Sequence, residues 1–213
     1  MKRLLPAIAL PLLLAACGSA GTSFGPTVGM TPSVDNAGIT VTVNQVVNAQ
    51  TGALKRLETE YEIKQPSLRL VVAPSSLGVT LDGYQLTVKD SAGTRFGGSE
   101  GQAQRGVSTH VMSGYACQTS SADATLITST DQCAGTLKTP YPRNVDLGSL
   151  VLLNDSVASA VVEEYVASSG TNCPTLKLNV TLTGRDDLNR SITPLQVQNA
   201  PLAVTCNLTT SEE

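Results

Sequence analysis

The chain has 213 residues, 14 basic side chains against 17 acidic ones, a formal charge of −3 at pH 7, one His and no Trp. With no basic run in that balance, the chain offers no electrostatic footprint for nucleic acid or anionic headgroups. Aromatic residues are only 3% of the total, which argues against a platform that stacks sugars or single-stranded bases.

At the start, Lys2 and Arg3 precede an apolar run from Leu4 to Ala16, broken by Pro6 and Pro11 and closing on small residues. A charged n-region, a short h-region and a small-residue cleavage site predict a secretory signal over residues 1–16. The run is too short for the roughly 20 apolar residues of a spanning helix. Leu14-Ala15-Ala16-Cys17 resembles the lipobox of bacterial lipoproteins, and the resemblance covers residues 1–17. It implies cleavage before Cys17, a diacylglyceryl group on the Cys17 thiol and acylation of the new amino group. Gly18 and Ser19 follow, with no Asp at the position that retains lipoproteins in an inner membrane. That sorting rule implies the outer membrane where a cell has two. The mature chain then holds 197 residues, with twelve basic side chains against 17 acidic ones, enough for one large all-β domain or two small ones.

Residues 17–36 are rich in Gly, Ser, Thr and Pro without periodicity, and they read as a flexible tether behind the anchor. A β-domain is expected over 37–206. Ile39, Val41 and Val43 alternate with Thr40, Thr42 and Asn44; Tyr61 and Ile63 alternate with Glu58, Glu60, Glu62 and Lys64. Leu68, Leu70 and Val72 follow, then Leu77, Val79 and Leu81, then Tyr84, Leu86 and Val88. Period two means strands with one buried and one wet face. Asp82-Gly83 predicts a two-residue hairpin turn, and Asp90 to Gly93 a second turn.

Residues 97–140 lose the rhythm in Gly, Ser, Gln and Thr, with Val107, Val111, Leu126 and Ile127 among the few able to pack. Such a long loop is unusual in a compact domain and is either functional or loosely ordered, and it is the first candidate contact surface. Order returns at Tyr141. Residues 156–168 fit two patterns. A helix would put Val157, Val161 and Tyr165 on one face, with Ser156 as N-cap and Gly170 near the C-cap; the β-branched content favours a strand. Leu176, Leu178, Val180 and Leu182 form a last hairpin with Ile192 to Thr205, slipping near Pro201 in a bulge or kink. Residues 207–213 read as a frayed tail.

Short strands, Gly/Asp turns and no βαβ rhythm predict an all-β fold, an antiparallel sandwich. The Gly-Arg-Asp-Asp-Leu-Asn-Arg turn between alternating strands is similar to turns of bacterial immunoglobulin-like modules, a likeness spanning about the last 40 residues. One sandwich is preferred over two smaller ones.

Cys17 apart, four cysteines remain, an even number suited to an oxidising compartment. Of the three possible pairings, Cys117–Cys133 would close the polar loop, and Cys173–Cys206 would bracket the last hairpin. No CxxC spacing and a single His argue against a metal site, and no cofactor is expected. Gly97-Gly98-Ser99-Glu100-Gly101 matches the nucleophile pattern G-x-S-x-G, with His110 nearby. The strand–turn–helix context and an intervening acid are missing, so a hydrolase using Ser99 and His110 is the alternative and not the leading reading. Glu58, Glu60 and Glu62 share one strand face, suited to a cation or a basic partner but more simply a solvated edge. Asp186, Asp187 and Asn189 suit turn chemistry better than a calcium loop. The leading expectation is a non-enzymatic, lipid-anchored envelope protein with a structural or protein-binding role. A solute-binding lipoprotein is a further alternative.

Overall fold

In a computed structural model the described residues are 26–98, 104–117, 138–148 and 151–213. They form eleven strands and one helix: β1 (Met30–Asp35), β2 (Gly38–Val47), β3 (Leu54–Lys64), β4 (Ser67–Val72), β5 (Val79–Lys89), β6 (Gln104–Val111), β7 (Tyr115–Cys117), β8 (Lys138–Pro140), β9 (Arg143–Asp146), α1 (Asp155–Ala167), β10 (Leu176–Asp186) and β11 (Leu195–Glu212). A six-stranded sheet has the order β3-β2-β11-β10-β5-β6 and a three-stranded sheet the order β1-β4-β9, while β7 and β8 pair separately. The protein is thus mostly β, as the alternation requires. Every pairing is antiparallel except β2 with β11, which run parallel, so the large sheet is mixed and not purely antiparallel as expected.

One apolar core draws on both sheets and on α1. Ile39, Val41, Leu68, Leu70, Val72, Leu81, Leu86, Leu178, Val180 and Leu182 are all essentially inaccessible, and each sits on the apolar phase of its strand. Burying a side chain of this size is worth about 1.5–3 kcal/mol. Before α1, Leu152 and Leu153 enter the core without regular structure. Their N–H groups donate to Gln65 Oε1 (3.1 and 2.9 Å) and Gln65 Nε2 donates to the Leu153 carbonyl, so the buried backbone is satisfied by one side chain. The Tyr84 hydroxyl donates to the Val151 carbonyl at 2.6 Å.

The structure corrects several expectations. Asp82-Gly83 is not a hairpin turn: β5 runs straight through it. Gly83 faces Thr183 and Leu81 faces Gly184, leaving Asp82 as the extra residue of a bulge. A bulge changes the phase of the alternation as a turn does, and the Thr183 hydroxyl secures this one on Asp82 Oδ1 at 2.8 Å. The tether is shorter than read, because Met30–Asp35 pair with β4; Met30 and Val34 are buried, and Pro32 is tolerated on the edge strand. The excursion over 97–140 contains β6, paired with β5 at the sheet edge and turning Val107 and Val111 to the core. It leaves β6 through Gly114, where a Cβ would overlap the Ala73 carbonyl oxygen.

Residues 155–167 form a helix, where the β-branched content favoured a strand. Val157, Ala158, Val161 and Tyr165 are its buried stripe and lie against β2 and β3. The N-cap is Asn154, whose Oδ1 accepts from Val157 N at 3.3 Å, and Gly170 takes φ +75° just past the end. The slip before Leu202 is a bulge at Gln198-Asn199, opposite Asn179. Asn199 has φ +56°, and its N–H donates to Asn179 Oδ1 at 2.7 Å. Finally, 207–212 are not a frayed tail: Asn207 to Glu212 continue β11 in register with Thr42 to Val47.

Candidate functional site

The strand β3 is LKRLETEYEIK, and every residue but Ile63 is exposed. It is an edge of the six-stranded sheet. Period two divides it. Glu58, Glu60 and Glu62 stand opposite Asn44, Thr42 and Thr40 of β2, whose partners on β11 are Thr209, Asn207 and Thr205. The Asn44 amide ties the three strands: Nδ2 donates to Ser211 Oγ (2.9 Å) and Glu58 Oε2 (3.3 Å), and Oδ1 accepts from the Thr209 hydroxyl (3.2 Å). A shallow polar groove of about 700 Å³ follows, lined by Thr42, Asn44, Glu58, Glu60, Thr209 and Ser211.

The charges along β3 are unevenly matched. Arg56 Nε donates to Glu58 Oε1 at 2.9 Å, and its Nη1 is paired with the Glu213 carboxylate. The Lys55 ammonium donates to the Glu213 carbonyl. Hydrogen bonds from Arg56 and then Asn44 hold the Glu58 carboxyl below the usual carboxylate range, and Glu58 and Glu213 raise the Arg56 guanidinium. Among the described residues neither Glu60 nor Glu62 has an ion-pair partner. On the opposite face, beside α1, Leu57 and Tyr61 are 41% and 39% exposed, and Leu208 of β11 is 43% exposed. The edge therefore presents carboxylates on one side and apolar groups on the other.

At the far edge, His110 is engaged by a residue the chain alone did not single out for it. Its Nε2 lies 3.0 Å from Asp187 Oδ1, and Asp187 Oδ2 accepts from Gly78 N at 3.0 Å. A Cβ on Gly78 would sit 2.6 Å from that oxygen. The pair fastens the β10–β11 turn to the β5–β6 edge. A separation of 77 residues hides it, since only register brings the two together. Ser99 lies outside the described residues. Next to Asp187, Asp186 Oδ1 accepts from Leu188 N and Arg190 N, and Oδ2 from the Arg190 guanidinium; Asn189 has φ +60°. These are turn contacts, as expected, and no group of three or more potential metal ligands occurs among the described residues.

Cys173 and Cys206 form the expected disulfide, with Cα atoms 5.8 Å apart. It sits where β11 leaves β10 for β2, since the β10 ladder ends at Leu202 and the β2 ladder begins at Ala203. Cys117 ends β7, is buried and is disulfide-bonded. Its expected partner Cys133 lies outside the described residues, as do Cys17 and most of the loop around Cys133. No described helix is long and apolar enough to cross a membrane. No protein-family model matches the chain, and no curated protein does.

Proposed function

We propose that the protein is an extracytoplasmic envelope lipoprotein, anchored through acylated Cys17 and serving a structural or protein-binding role without catalysis. The observation that carries this reading is Leu14-Ala15-Ala16-Cys17 at the end of a short apolar run behind Lys2 and Arg3. The Cys173–Cys206 disulfide supports export, since such bonds persist in oxidising compartments. Two sheets around one core support an immunoglobulin-like sandwich as its folded part, although the helix and the parallel β2–β11 pair depart from the plainest form.

Replacing Cys17 with Ser tests the anchor. The wild-type chain is expected in the membrane fraction and labelled by a fatty-acid analogue supplied to the cells. The Cys17→Ser chain is expected to be unlabelled and released from the membrane by salt or dilution. A variant that stays fully membrane-bound overturns the anchor. Crosslinking in intact cells tests the second half, with a specific envelope protein expected to co-purify.

A further inference from the structure

We propose that β3 is a docking edge. An extended segment of a partner protein, with Lys or Arg at every second position and apolar residues between, adds beside Leu54–Lys64 as a seventh strand of the large sheet. The inference deepens the protein-binding half of the reading above and rests on it. An edge strand keeps one row of backbone N–H and C=O groups unpaired, which is the template that strand addition uses. Here that row belongs to an 11-residue strand exposed along nearly its whole length.

The side chains specify the occupant. Glu58, Glu60 and Glu62 recur at the two-residue period of about 6.6 Å, so basic side chains spaced the same way meet them one for one. Arg56 and Lys55, which would repel such a segment, are drawn toward Glu213, and Glu60 and Glu62 have no ion-pair partner among the described residues. Leu57 and Tyr61 on the other face receive the intervening apolar residues. A second copy of this chain fits poorly. Two β3 strands laid antiparallel about Thr59 put Glu58 against Glu60 twice, which is destabilising, and Glu62 against Arg56 twice, where Arg56 is already paired with Glu58 and Glu213. The acidic row thus favours a basic strand over a second copy.

The test uses the full chain and three fluorescent peptides of one length: Lys alternating with Val and Thr, the same residues with the Lys in one block, and Glu in place of each Lys. The alternating basic peptide is expected to bind, to slow hydrogen exchange at β3 amides, and to lose about tenfold in affinity in the Glu60→Lys/Glu62→Lys chain. Glu163→Lys/Glu164→Lys on α1 makes the same change in net charge and is expected to leave binding unaltered. Absence of binding, equal binding of the block or acidic peptide, protection confined to other strands, or equal losses in both charge variants overturns the proposal. So does self-association of the wild-type chain that Glu60→Lys/Glu62→Lys abolishes. If a partner crosslinked in cells is retained undiminished by Glu60→Lys/Glu62→Lys, the protein-binding reading stands and the docking edge falls. If no partner is captured with either chain, the wider reading falls as well.

Discussion

Asp186 combines burial with charge at the single-residue scale. Its side chain is only 4% exposed. Burial pushes its carboxyl up, but hydrogen bonds from the Arg190 guanidinium and from the N–H groups of Arg190 and Leu188 outweigh this and hold it below the usual range. A carboxyl depressed in the folded chain contributes stability that is complete above its unfolded pKa near 4 and is lost as pH falls through the folded value. Asp186→Asn keeps the shape but gives up the charge and one strong acceptor. Urea midpoints of the variant are therefore expected to fall below wild type at pH 7, with the gap narrowing as pH drops below about 4. A gap that is constant with pH would mean the charge is irrelevant. The Gly-Arg-Asp-Asp-Leu-Asn-Arg turn made this carboxylate legible as a turn residue. Its guanidinium clamp was not, because only the closed turn brings Arg190 back onto Asp186.

At the scale of elements, strands with one face in the core were legible wherever apolar residues alternated without interruption, as in β2, β4 and β10. The misreadings have physical causes. The bulge at Asp82 shifts the phase just as a turn would, and the chain alone does not distinguish the two. In β1 the inward positions are Met30, Pro32 and Val34, which a Gly/Pro-rich composition disguised. In α1 local preference and tertiary packing disagree: Val157, Val161, Val162 and Val166 lower helix propensity, yet i, i+4, i+8 spacing buries Val157, Val161 and Tyr165 on β2 and β3. Packing decides, with help from the cap at Asn154. Asn154→Ala is accordingly expected to cost about 1 kcal/mol in chemical denaturation, while keeping the helical signal of the folded state. No measurable change would show that the segment's packing fixes the helix start unaided.

The whole molecule is joined by its last strand. β11 pairs antiparallel with β10 up to Leu202, then crosses to run parallel with β2 from Ala203 to Glu212, so the edge formed by β2 and β3 reaches the rest of the large sheet only through it. Its final stretch looks expendable in sequence because Asn207, Thr209, Thr210, Ser211 and Glu212 show no apolar phase. The reason is positional. Here β11 has lost β10 as a neighbour, and its stability comes from backbone pairing and from polar ties such as Asn44 to Ser211, none of which leaves a hydrophobic signature. Leu208 is the exception, lying against Gly170 just beyond α1. A chain truncated after Cys206 keeps the disulfide and the core but removes six residues of ladder from β2. With each ladder bond worth about 1 kcal/mol net, and part of that offset by the released chain entropy, the loss is on the order of 3 kcal/mol. Two readouts separate the possible consequences. If the last strand organises the edge, hydrogen exchange quickens across β2 and β3 while β5 and β10 remain protected, and the β3 docking of a basic peptide weakens with it. Uniform quickening across all strands would instead mean that the truncation only lowers global stability, and unchanged exchange in β2 would mean that β2 and β3 hold their positions without the strand that joins them to the sheet.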